Sequence, residues 1–491
     1  MKNKKSHDLR DNKQVSNKIY EYLDSLYGQS SAKKYLEFIN EKPSRYIRVN
    51  KLKTTREKLS QTLLQDYNIK TEEIKNLNYA LKITEDSNLL GIAIEHIIGE
   101  YYIQGLSSMI PPIILNPSPD DVVLDLCAAP GSKTTELAEM MENQGTLVSN
   151  EVQLNRVKML VYNLDRMNIV NTGVTHTKGE WLSKHYTHHF DKVLVDAPCS
   201  GLGIIQKKGE VNDWWSIERA ERLGDLQLRL LIGAIKMAKV GGEIVYSTCT
   251  LTPEENELVL NKVLEKYPVE VMEIALPVES HPAFTSYSGK QLNNELEKAR
   301  RILPWEANTD GFFIIKLEKT GETEAPEQTL PDQRELKLLS SEKKVISPLL
   351  KNINDDFGIP EEVLSGYQFL LKSNDVFLVS KEWSDPYPGH FQRIGTKLGI
   401  IDKNGRLVLH TQAAQVFQKY ISKNIYQIEN QDELKKYLEG GIIKKEIAIE
   451  GQCVIKYKDF VLGTAVVTKA GIKSRFPRAK RTQEIFTDFS L

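Results

Sequence analysis

The sequence of 491 residues lacks a long apolar run and has almost no net charge. No stretch approaches the roughly 18 apolar residues that a membrane-spanning helix needs. The amino-terminal MKNKKSHDLRDNKQ also lacks the apolar region of an export signal. We therefore predict a cytoplasmic protein without membrane contact. Since 65 Lys plus Arg balance 66 Asp plus Glu, any surface that binds a polyanion must be a local patch.

Cysteine is scarce as well. The four cysteines are too few and too scattered for a disulfide framework, and no C-x-x-C pair is available to bind zinc. The histidines of SKHYTHHF have no ligand partner at a metal-binding spacing, so we interpret them as loop residues. The sequence thus predicts free thiols and no metal site.

The length of the chain indicates several domains, because one domain typically has about 150 residues. Residues 319–337 lack apolar periodicity and are rich in Glu, Thr, Gln and Pro, which is typical of an exposed linker. Short β-like runs follow it. We expect an α+β amino-terminal segment over 1–110, a central domain over 111–318, and a small strand-rich carboxy-terminal region over 338–491.

The central domain alternates apolar strand-like runs with helical patterns. VVLDL, TLVSN, KVLVDA, EIVYST and FFIIKL are typical of buried strands, and segments with helical periodicity separate them. This alternation predicts an α/β fold, a doubly wound and mostly parallel sheet with helices on both faces. Ligands bind at the carboxyl ends of the strands in such sheets.

The first of these strands ends in DLCAAPGSKTT, where small residues lead directly into a helix. A ligand can approach such a backbone closely and meet free helix N–H groups. The loop is neither a Walker A motif, since Ser132 follows Gly131, nor G-x-G-x-x-G. Glu151 follows the second strand, where a carboxylate can bind both hydroxyls of a ribose. A nucleoside-bearing cofactor fits, although a turn that serves packing alone remains an alternative.

Two cysteines follow neighbouring strands, Cys199 in VDAPCSG and Cys249 in YSTCTLTPEENE. A thiolate can add to carbon 6 of cytosine and so activate carbon 5 to attack an activated methyl group. Asp196 can hydrogen-bond ring nitrogen 3 and stabilise the charge that arises. A second thiol can help to release the product. The residues alone do not decide which thiol is the nucleophile, and small buried hydrophobes are the alternative for both.

Together with RILPWEANTDGFF, RVNKLK and GEYYIQGLSSM, these motifs resemble the Nop/Sun family of S-adenosylmethionine-dependent RNA cytosine-C5 methyltransferases. The resemblance covers roughly residues 48–317 and implies a Rossmann-like catalytic domain. It implies that Cys249 is the nucleophile, that Cys199 is needed to release the product, and that Glu151 holds the ribose. Asp196 is expected between cofactor and base, with Lys133 as a further catalytic residue. The methionine part of S-adenosylmethionine is expected at Cys127, Ala128, Ala129, Pro130, Gly131, Ser132 and Lys133.

One expected cofactor contact departs from the family pattern. In THTKGEW the family usually places an Asp that accepts a hydrogen bond from the adenine amino group, and this chain has Lys178. A lysine cannot accept that bond. Either Glu180 substitutes for it, or the affinity for the cofactor is lower.

Basic segments flank the central domain. Residues 1–53 carry 13 Lys or Arg against six acids, and in KAGIKSRFPRAKR, residues 469–481, six of thirteen residues are basic and none is acidic. Phosphate binding is the interpretation we favour, with a solvated tail as the alternative. In the loop GLGIIQKKGEVNDWW, Lys207 and Lys208 are further candidates for RNA contacts, while Trp214 and Trp215 are more typical of core anchors.

The carboxy-terminal extension is similar to a PUA-type RNA-binding module, and bacterial family members with such an extension methylate small-subunit ribosomal RNA. We therefore predict a monomeric enzyme that forms 5-methylcytosine in 16S rRNA or in the small ribosomal subunit. Two alternatives stay open: the same chemistry on tRNA, and a catalytically weak RNA-binding factor for ribosome assembly.

Overall fold

The fold is taken from a computed structural model that describes residues 15–85, 88–324, 336–481 and 485–486. The first fourteen residues, with five of the predicted basic side chains, lie outside the described residues, as do residues 325–335 of the predicted linker. None of the helices within the described ranges is both long and apolar enough to cross a membrane.

The amino-terminal segment is α+β, as predicted. Its strands Thr71–Ile74, Leu77–Ile83, Arg45–Val49 and Tyr101–Ile103 form, in that order, an antiparallel sheet on which the helices Arg56–Tyr67 and Leu106–Leu115 pack. The elements are α1 Asn17–Asn40, β1 Arg45–Val49, α2 Arg56–Tyr67, β2 Thr71–Ile74, β3 Leu77–Ile83, α3 Ile94–Ile97, β4 Tyr101–Ile103 and α4 Leu106–Leu115.

The central domain contains the predicted alternation of strands and helices. Its elements begin with β5 Val122–Asp125, α5 Ser132–Met140, β6 Thr146–Asn150, α6 Leu154–Met167, β7 Thr172–Thr175, α7 Gly179–Leu182, β8 Phe190–Asp196, α8 Val211–Trp214, α9 Ile217–Met237 and β9 Ala238–Thr248. They continue with α10 Glu257–Leu264, β10 Val269–Met272, β11 His281–Pro282, β12 Ser286–Tyr287, β13 Lys290–Gln291, β14 Arg300–Ile302, α11 Pro304–Ala307 and β15 Phe312–Lys319.

The main sheet confirms the doubly wound α/β prediction. Strands β9, β8, β5, β6 and β7 run parallel in that spatial order, and β15 joins β9 antiparallel. Val123, Leu124 and Val193 are fully buried, as expected for strands covered on both faces. The strand order reverses at β5, between β6 and β8, so a crevice opens at the carboxyl ends of β5 and β8.

The carboxy-terminal region is strand-rich, as predicted. Its two sheets have the orders β16-β17-β19-β20 and β21-β23-β24-β25-β22. The elements are α12 Ser347–Phe357, α13 Glu361–Leu364, β16 Tyr367–Lys372, β17 Asp375–Ser380, β18 Arg393–Ile394, β19 Thr396–Ile401, β20 Leu407–Leu409, α14 Thr411–Val416, β21 Ile425–Gln427, α15 Gln431–Leu438, β22 Ile442–Ile443, β23 Gln452–Tyr457, β24 Phe460–Thr468, β25 Gly471–Ser474 and α16 Arg478–Arg481.

This region also completes the main sheet, which the sequence did not predict. Strand β18 pairs antiparallel with β7 at the outer edge. The contact is close at Gly173, where an added Cβ would lie 2.5 Å from the Phe391 ring. Lys319, the first residue of the predicted linker, is the last residue of β15, and its Nζ donates to the Ala238 carbonyl at 2.9 Å.

A buried guanidinium joins the amino-terminal sheet to the helix that begins at the predicted cofactor loop. Arg48 of β1 is fully buried, and its Nη2 lies 2.7 Å from Glu139 Oε1 on α5. Its Nη1 lies 3.4 Å from Glu136 Oε2 and donates to the Ser132 carbonyl at 2.6 Å. A buried charge is stable only with such partners, so Arg48 fixes the amino-terminal segment on α5.

A second cationic junction corrects one sequence expectation. Lys480, assigned with its neighbours to phosphate binding, is buried, and its Nζ donates to the Ile97 carbonyl at 2.9 Å. Burial lowers the pKa of Lys480 to about 8. The expectation is wrong for this residue, because a contact 383 positions away occupies its ammonium group. Arg166 of α6 donates to the neighbouring His96 carbonyl at 2.7 Å.

Replacing Arg48 with Met is expected to destabilise the protein by about 3–5 kcal/mol at pH 8, because Glu136 and Glu139 then share a buried site without a cation. Burial already raises the pKa of Glu136 to about 7. An acid whose pKa is higher in the folded state than in the unfolded state loses stability as the pH rises. Thermal unfolding should therefore show a larger deficit at pH 8 than at pH 6.

Arg45→Met is the matched control for this measurement, because Arg45 begins the same strand but is exposed. It should unfold near the native temperature at both pH values. A deficit for Arg48→Met that is the same at both pH values would contradict the assigned role of the two carboxylates.

Candidate active site

The crevice at the carboxyl ends of β5, β6, β8 and β9 brings most of the predicted site residues together. They are the loop 127–133 after β5, Glu151 after β6, Asp196 at the end of β8, Cys199 in the loop that follows, and Cys249 after β9. Each strand ends in a short loop, so the backbone places these side chains at one edge of the sheet.

The loop after β5 turns sharply into α5. Gly131 precedes the helix with φ +108°, which favours glycine, and an added Cβ would lie 3.1 Å from Leu160 Cδ1. The peptide bond between Ala129 and Pro130 is cis. Asn163 of α6 donates to the Pro130 carbonyl at 2.9 Å. The helix therefore begins with its free N–H groups next to a loop of small residues.

Asp125, the last residue of β5, stabilises the turn into α5. Its side chain is buried, and Thr134 Oγ1 donates to its Oδ2 at 2.7 Å. Burial raises the pKa of Asp125 to about 7. Asn150, at the end of β6, donates to the Leu126 carbonyl at 3.1 Å and accepts from the Thr177 N–H at 3.2 Å. The ends of the three strands β5, β6 and β7 are thus tied to one another.

Glu151 lies at the end of β6 with only 2% of its surface exposed. Its Oε1 accepts from the Gln153 N–H at 2.8 Å, and its Oε2 lies 3.1 Å from Arg156 Nη1. Arg156 also donates to the Ala129 carbonyl. The carboxylate is therefore held in one orientation next to the 127–133 loop, and each of its oxygens keeps capacity for a further hydrogen bond.

Lys133 and Asp196 form an ion pair across the crevice, with Lys133 Nζ 2.7 Å from Asp196 Oδ2. Lys133 also donates to Ser108 Oγ at 3.0 Å, and Ser247 Oγ donates to Asp196 Oδ1 at 2.9 Å. Burial lowers the pKa of Lys133, but the surrounding anionic groups, with Asp196 first among them, together outweigh burial and the net shift is upward. Lys133 therefore stays charged and orients the carboxylate.

The two thiols contact each other. Cys199 Sγ lies 2.8 Å from Cys249 Sγ, and both side chains are partly buried free cysteines. The Gly203 N–H donates to the Cys249 carbonyl at 3.0 Å, which ties the two loops together. The hydrogen bond with Cys249 and then burial raise the pKa of the Cys199 thiol well above its usual value.

Cys127 and Lys178 are the remaining predicted cofactor contacts. Cys127 is partly exposed in the cofactor loop, and burial raises the pKa of its thiol. Lys178 is exposed at the start of α7, with its Nζ 4.6 Å from the centre of the Trp181 ring. Glu180, the predicted substitute for adenine recognition, is half-buried on the same helix.

The loop between β8 and α9 has both polar and anchoring residues. Trp215 is buried against Tyr22, with ring centres 4.9 Å apart, which confirms its prediction as a core anchor. Arg219 stacks over Trp214 at 4.1 Å. Lys207 forms an ion pair with Asp310 at 2.7 Å, while Lys208 is exposed. Of the two lysines predicted to contact RNA, one therefore already has an anionic partner.

Sequence reasoning missed the side chains that support the site. Ser108 and Ser247 hold the ion pair, and Glu255 lies behind both cysteine loops. One of them carried a sequence signal: Ser247 lies near the end of the predicted strand EIVYST, and the structure pairs it with Asp196 on the adjacent parallel strand. Ser108 comes from α4 in the amino-terminal segment and had no such signal.

Two family descriptions match the chain. The description "16S rRNA methyltransferase RsmB/F" matches residues 112–318, and an RsmF/B-like ferredoxin-like domain matches residues 19–89. Among curated proteins, the ribosomal RNA small subunit methyltransferase F of Shewanella oneidensis is 33% identical over 443 residues, 88% of this chain and 90% of that protein. A tRNA (cytosine(49)-C(5))-methyltransferase of Pyrococcus abyssi is 35% identical over 62% of this chain and 97% of its own length.

Solved structures agree with the fold. A methyltransferase homologue from Pyrococcus horikoshii is 31% identical with a TM-score of 0.54, and the match covers 62% of this chain and all of the other. NSun6 from the same organism, solved with the S-adenosylmethionine analogue SFG, is 24% identical with a TM-score of 0.52 over 62% of this chain and 99% of the other. The sequence relatives and the thiol-bearing crevice agree: the chain belongs to the RsmB/F family of RNA cytosine-C5 methyltransferases.

Proposed function

We propose that the protein transfers the methyl group of S-adenosylmethionine to carbon 5 of cytosine in 16S rRNA through a covalent adduct with Cys249. The observation that carries this proposal is the thiol pair Cys199–Cys249, at 2.8 Å, beside the Lys133–Asp196 ion pair. A nucleophile, a second sulfur and a charge-stabilising acid group lie at the ends of adjacent strands, as addition to a pyrimidine ring requires.

The residues of the crevice fit the proposed cofactor. Small side chains at Ala128, Ala129 and Gly131 leave the backbone open, and the start of α5 offers N–H groups to a carboxylate. Glu151 is held so that both of its oxygens can accept from ribose hydroxyls. When bound, S-adenosylmethionine supplies an activated methyl group. Cys127 and the remaining loop residues would contact its methionine part.

The reaction then forms two bonds to the cytosine ring, one at carbon 6 and one at carbon 5. Cys249 sulfur bonds to carbon 6, and the Asp196 carboxyl group, protonated when the base is bound, donates a hydrogen bond to ring nitrogen 3, where negative charge develops. Carbon 5 then takes the methyl group that the bound cofactor would supply. Cys199 sulfur accepts the proton of carbon 5 as its own proton passes to water. The bond from carbon 6 to Cys249 breaks, its electron pair returns to sulfur, and the ring double bond forms again.

Exposed cations offer a path for RNA on both flanks. Lys33, Lys34 and Lys42 are exposed on or just after α1, the helix whose Tyr35 donates to the Leu202 carbonyl at 2.8 Å, in the loop after Cys199. The carboxy-terminal region contains a groove of about 400 Å³. The exposed cations Lys473, Arg475 and Arg478 line it, and no acidic residue is among the described residues of its lining. Phosphates favour such surfaces.

Ribosomal RNA is supported over tRNA by the extent of the likeness. The rRNA-directed relative aligns with 88% of this chain, whereas the tRNA-directed relative aligns with 62%. A target inside structured RNA has to be flipped into the crevice. We further propose that the enzyme acts as a monomer in the cytoplasm.

Replacing each of the two thiols should have a different effect. Incubation of Cys199→Ala with S-adenosylmethionine and bacterial 16S rRNA should give a covalent protein–RNA band on a denaturing gel, because methylation proceeds but release does not. Cys249→Ala should give no band and should lower methyl transfer by at least about a thousandfold, since covalent activation is lost.

Cys453→Ala is the matched control, since Cys453 is fully buried in the carboxy-terminal region and should behave as the native protein does. A band only for Cys249→Ala would exchange the roles of the two thiols. No band for either variant, together with no transfer by the native enzyme, would refute the substrate or the activity.

The enzyme should prefer ribosomal RNA to tRNA. Tritiated methyl incorporation should favour 16S rRNA or small subunits over tRNA by at least about tenfold in kcat/KM, because the carboxy-terminal groove adds phosphate contacts. A preference for tRNA would overturn the rRNA assignment. The Pyrococcus abyssi relative makes tRNA the candidate to compare directly.

The side chain at position 178 should affect the affinity for the cofactor. Replacing Lys178 with Asp should tighten S-adenosylmethionine binding about three- to tenfold, because a carboxylate can accept a hydrogen bond from the adenine amino group. Calorimetric titration measures this, with Lys178→Ala as the control that removes the lysine without adding an acceptor. Equal affinities of the two variants would show that position 178 does not contact adenine. Absence of binding by the native protein at millimolar ligand would favour the assembly-factor alternative.

A further inference from the structure

A fully buried carboxylate lies behind the two cysteine loops. Glu255, in the turn that precedes α10, has no exposed surface. Its Oε2 accepts from the Ser200 N–H at 2.8 Å and from Gln227 Nε2 at 2.9 Å. Its Oε1 accepts from Thr252 Oγ1 at 2.9 Å. Burial raises the pKa of Glu255, and the three donors oppose that shift because they stabilise the ionised carboxylate.

These contacts reach both neighbours of Cys199 in the chain. Ser200 follows Cys199, and Gln227 also donates to the carbonyl of Pro198, which precedes it, at 2.9 Å. The other loop is attached through Thr250, which follows Cys249 and lies 3.0 Å from Ser200 Oγ. Glu255 therefore fixes the backbone on either side of Cys199.

The charge of Glu255 has no cationic partner among the described residues, all three of its side-chain contacts being neutral donors. The neighbouring acid Glu257 differs, because Arg301 forms an ion pair with it. A negative charge that is buried without a counter-ion acts strongly on nearby titratable groups, since little water screens it. Two titratable groups are exposed to this charge: the hydroxyl of Tyr246, which donates to the Glu255 carbonyl at 2.6 Å, and the thiol of Cys199.

The charged groups that face the thiol pair are unevenly placed. Glu255 and Asp196 both disfavour a negative charge on Cys199, in addition to the hydrogen bond with Cys249 and to burial. Lys133 pairs with Asp196 and also interacts favourably with a negative charge on Cys249. The Cys199 side of the pair is therefore anionic, and the Cys249 side has the cation.

We propose that Glu255 is the positioning residue that determines which thiol is the nucleophile. Its charge, one residue from Cys199, retains the proton on Cys199 Sγ, so that Cys199 donates its S–H to the thiolate of Cys249. This inference rests on the proposed function for the chemical role of the thiolate. The distribution of the proton between the two sulfurs can be tested without RNA.

The test is the rate of iodoacetamide alkylation of each cysteine as a function of pH, resolved by peptide mass spectrometry at low conversion. Only the thiolate reacts, so the midpoint of each curve reports that thiol. In the native protein we expect the midpoint of Cys199 to lie above that of Cys249. In Glu255→Gln the midpoint of Cys199 should fall by about one pH unit, which gives about tenfold faster alkylation below it.

Glu254→Gln is the matched control. Glu254 is the adjacent buried acid, but its carboxylate accepts from the hydroxyl groups of Tyr22 and Tyr287 instead of from the cysteine loops. It should leave both midpoints unchanged. Glu255→Asp keeps the charge and shortens the side chain, so it should retain the native order of the two midpoints.

An unmoved Cys199 midpoint in Glu255→Gln would overturn the proposal, as would a native Cys249 midpoint above that of Cys199. The second result needs no variant, so the proposal stays testable even if Glu255→Gln does not fold. Alkylation uses neither RNA nor cofactor. A failure to methylate 16S rRNA would therefore count against the proposed function alone, while an unmoved midpoint counts against Glu255 alone.

Discussion

A buried guanidinium is stable only where anions and carbonyl groups surround it. The interaction of Arg48 with such groups joins two parts of the chain. Arg48 belongs to the amino-terminal sheet, while Glu136, Glu139 and the Ser132 carbonyl belong to the helix that starts at the cofactor loop. Neither part satisfies its buried charges alone. The orientation of the two parts, and with it the position of Ser108 against Lys133, follows from this interaction.

The same constraint shapes the crevice at a smaller scale. Lys133 and Asp196 neutralise each other at 2.7 Å, whereas Glu255 is stabilised by neutral donors alone. Two sulfur atoms lie between these unequal surroundings. Thiols of identical covalent structure can thus have different proton affinities, because the side chains behind them differ in charge. In the proposed mechanism, the division of labour between nucleophile and helper depends on the buried side chains around the two sulfur atoms, including Glu255, which stands six residues after Cys249 in the same motif.

The central sheet and its strand ends were predictable, because long apolar runs such as VVLDL and KVLVDA are buried on both faces and need no distant partner to be recognised. Site residues that sit in the loops directly after those strands, such as Cys199 and Cys249, could be predicted for the same reason. Lys480 could not, since its partner is the Ile97 carbonyl and no local pattern reports a contact across the chain. Ser108 and Glu255 were missed because their roles depend on packing between segments.

Strand β18 has a consequence for how the chain is made. Residues Arg393–Ile394 cover the outer edge of β7, Thr172–Thr175, so the catalytic sheet has an open edge until the ribosome has synthesised the carboxy-terminal region. Open strand edges pair readily with other chains, so the nascent catalytic domain is prone to aggregate during that interval. Shortening the protein before residue 393 would make this temporary exposure permanent. The carboxy-terminal region thus protects the edge of the central sheet, in addition to the RNA contacts proposed for its basic groove.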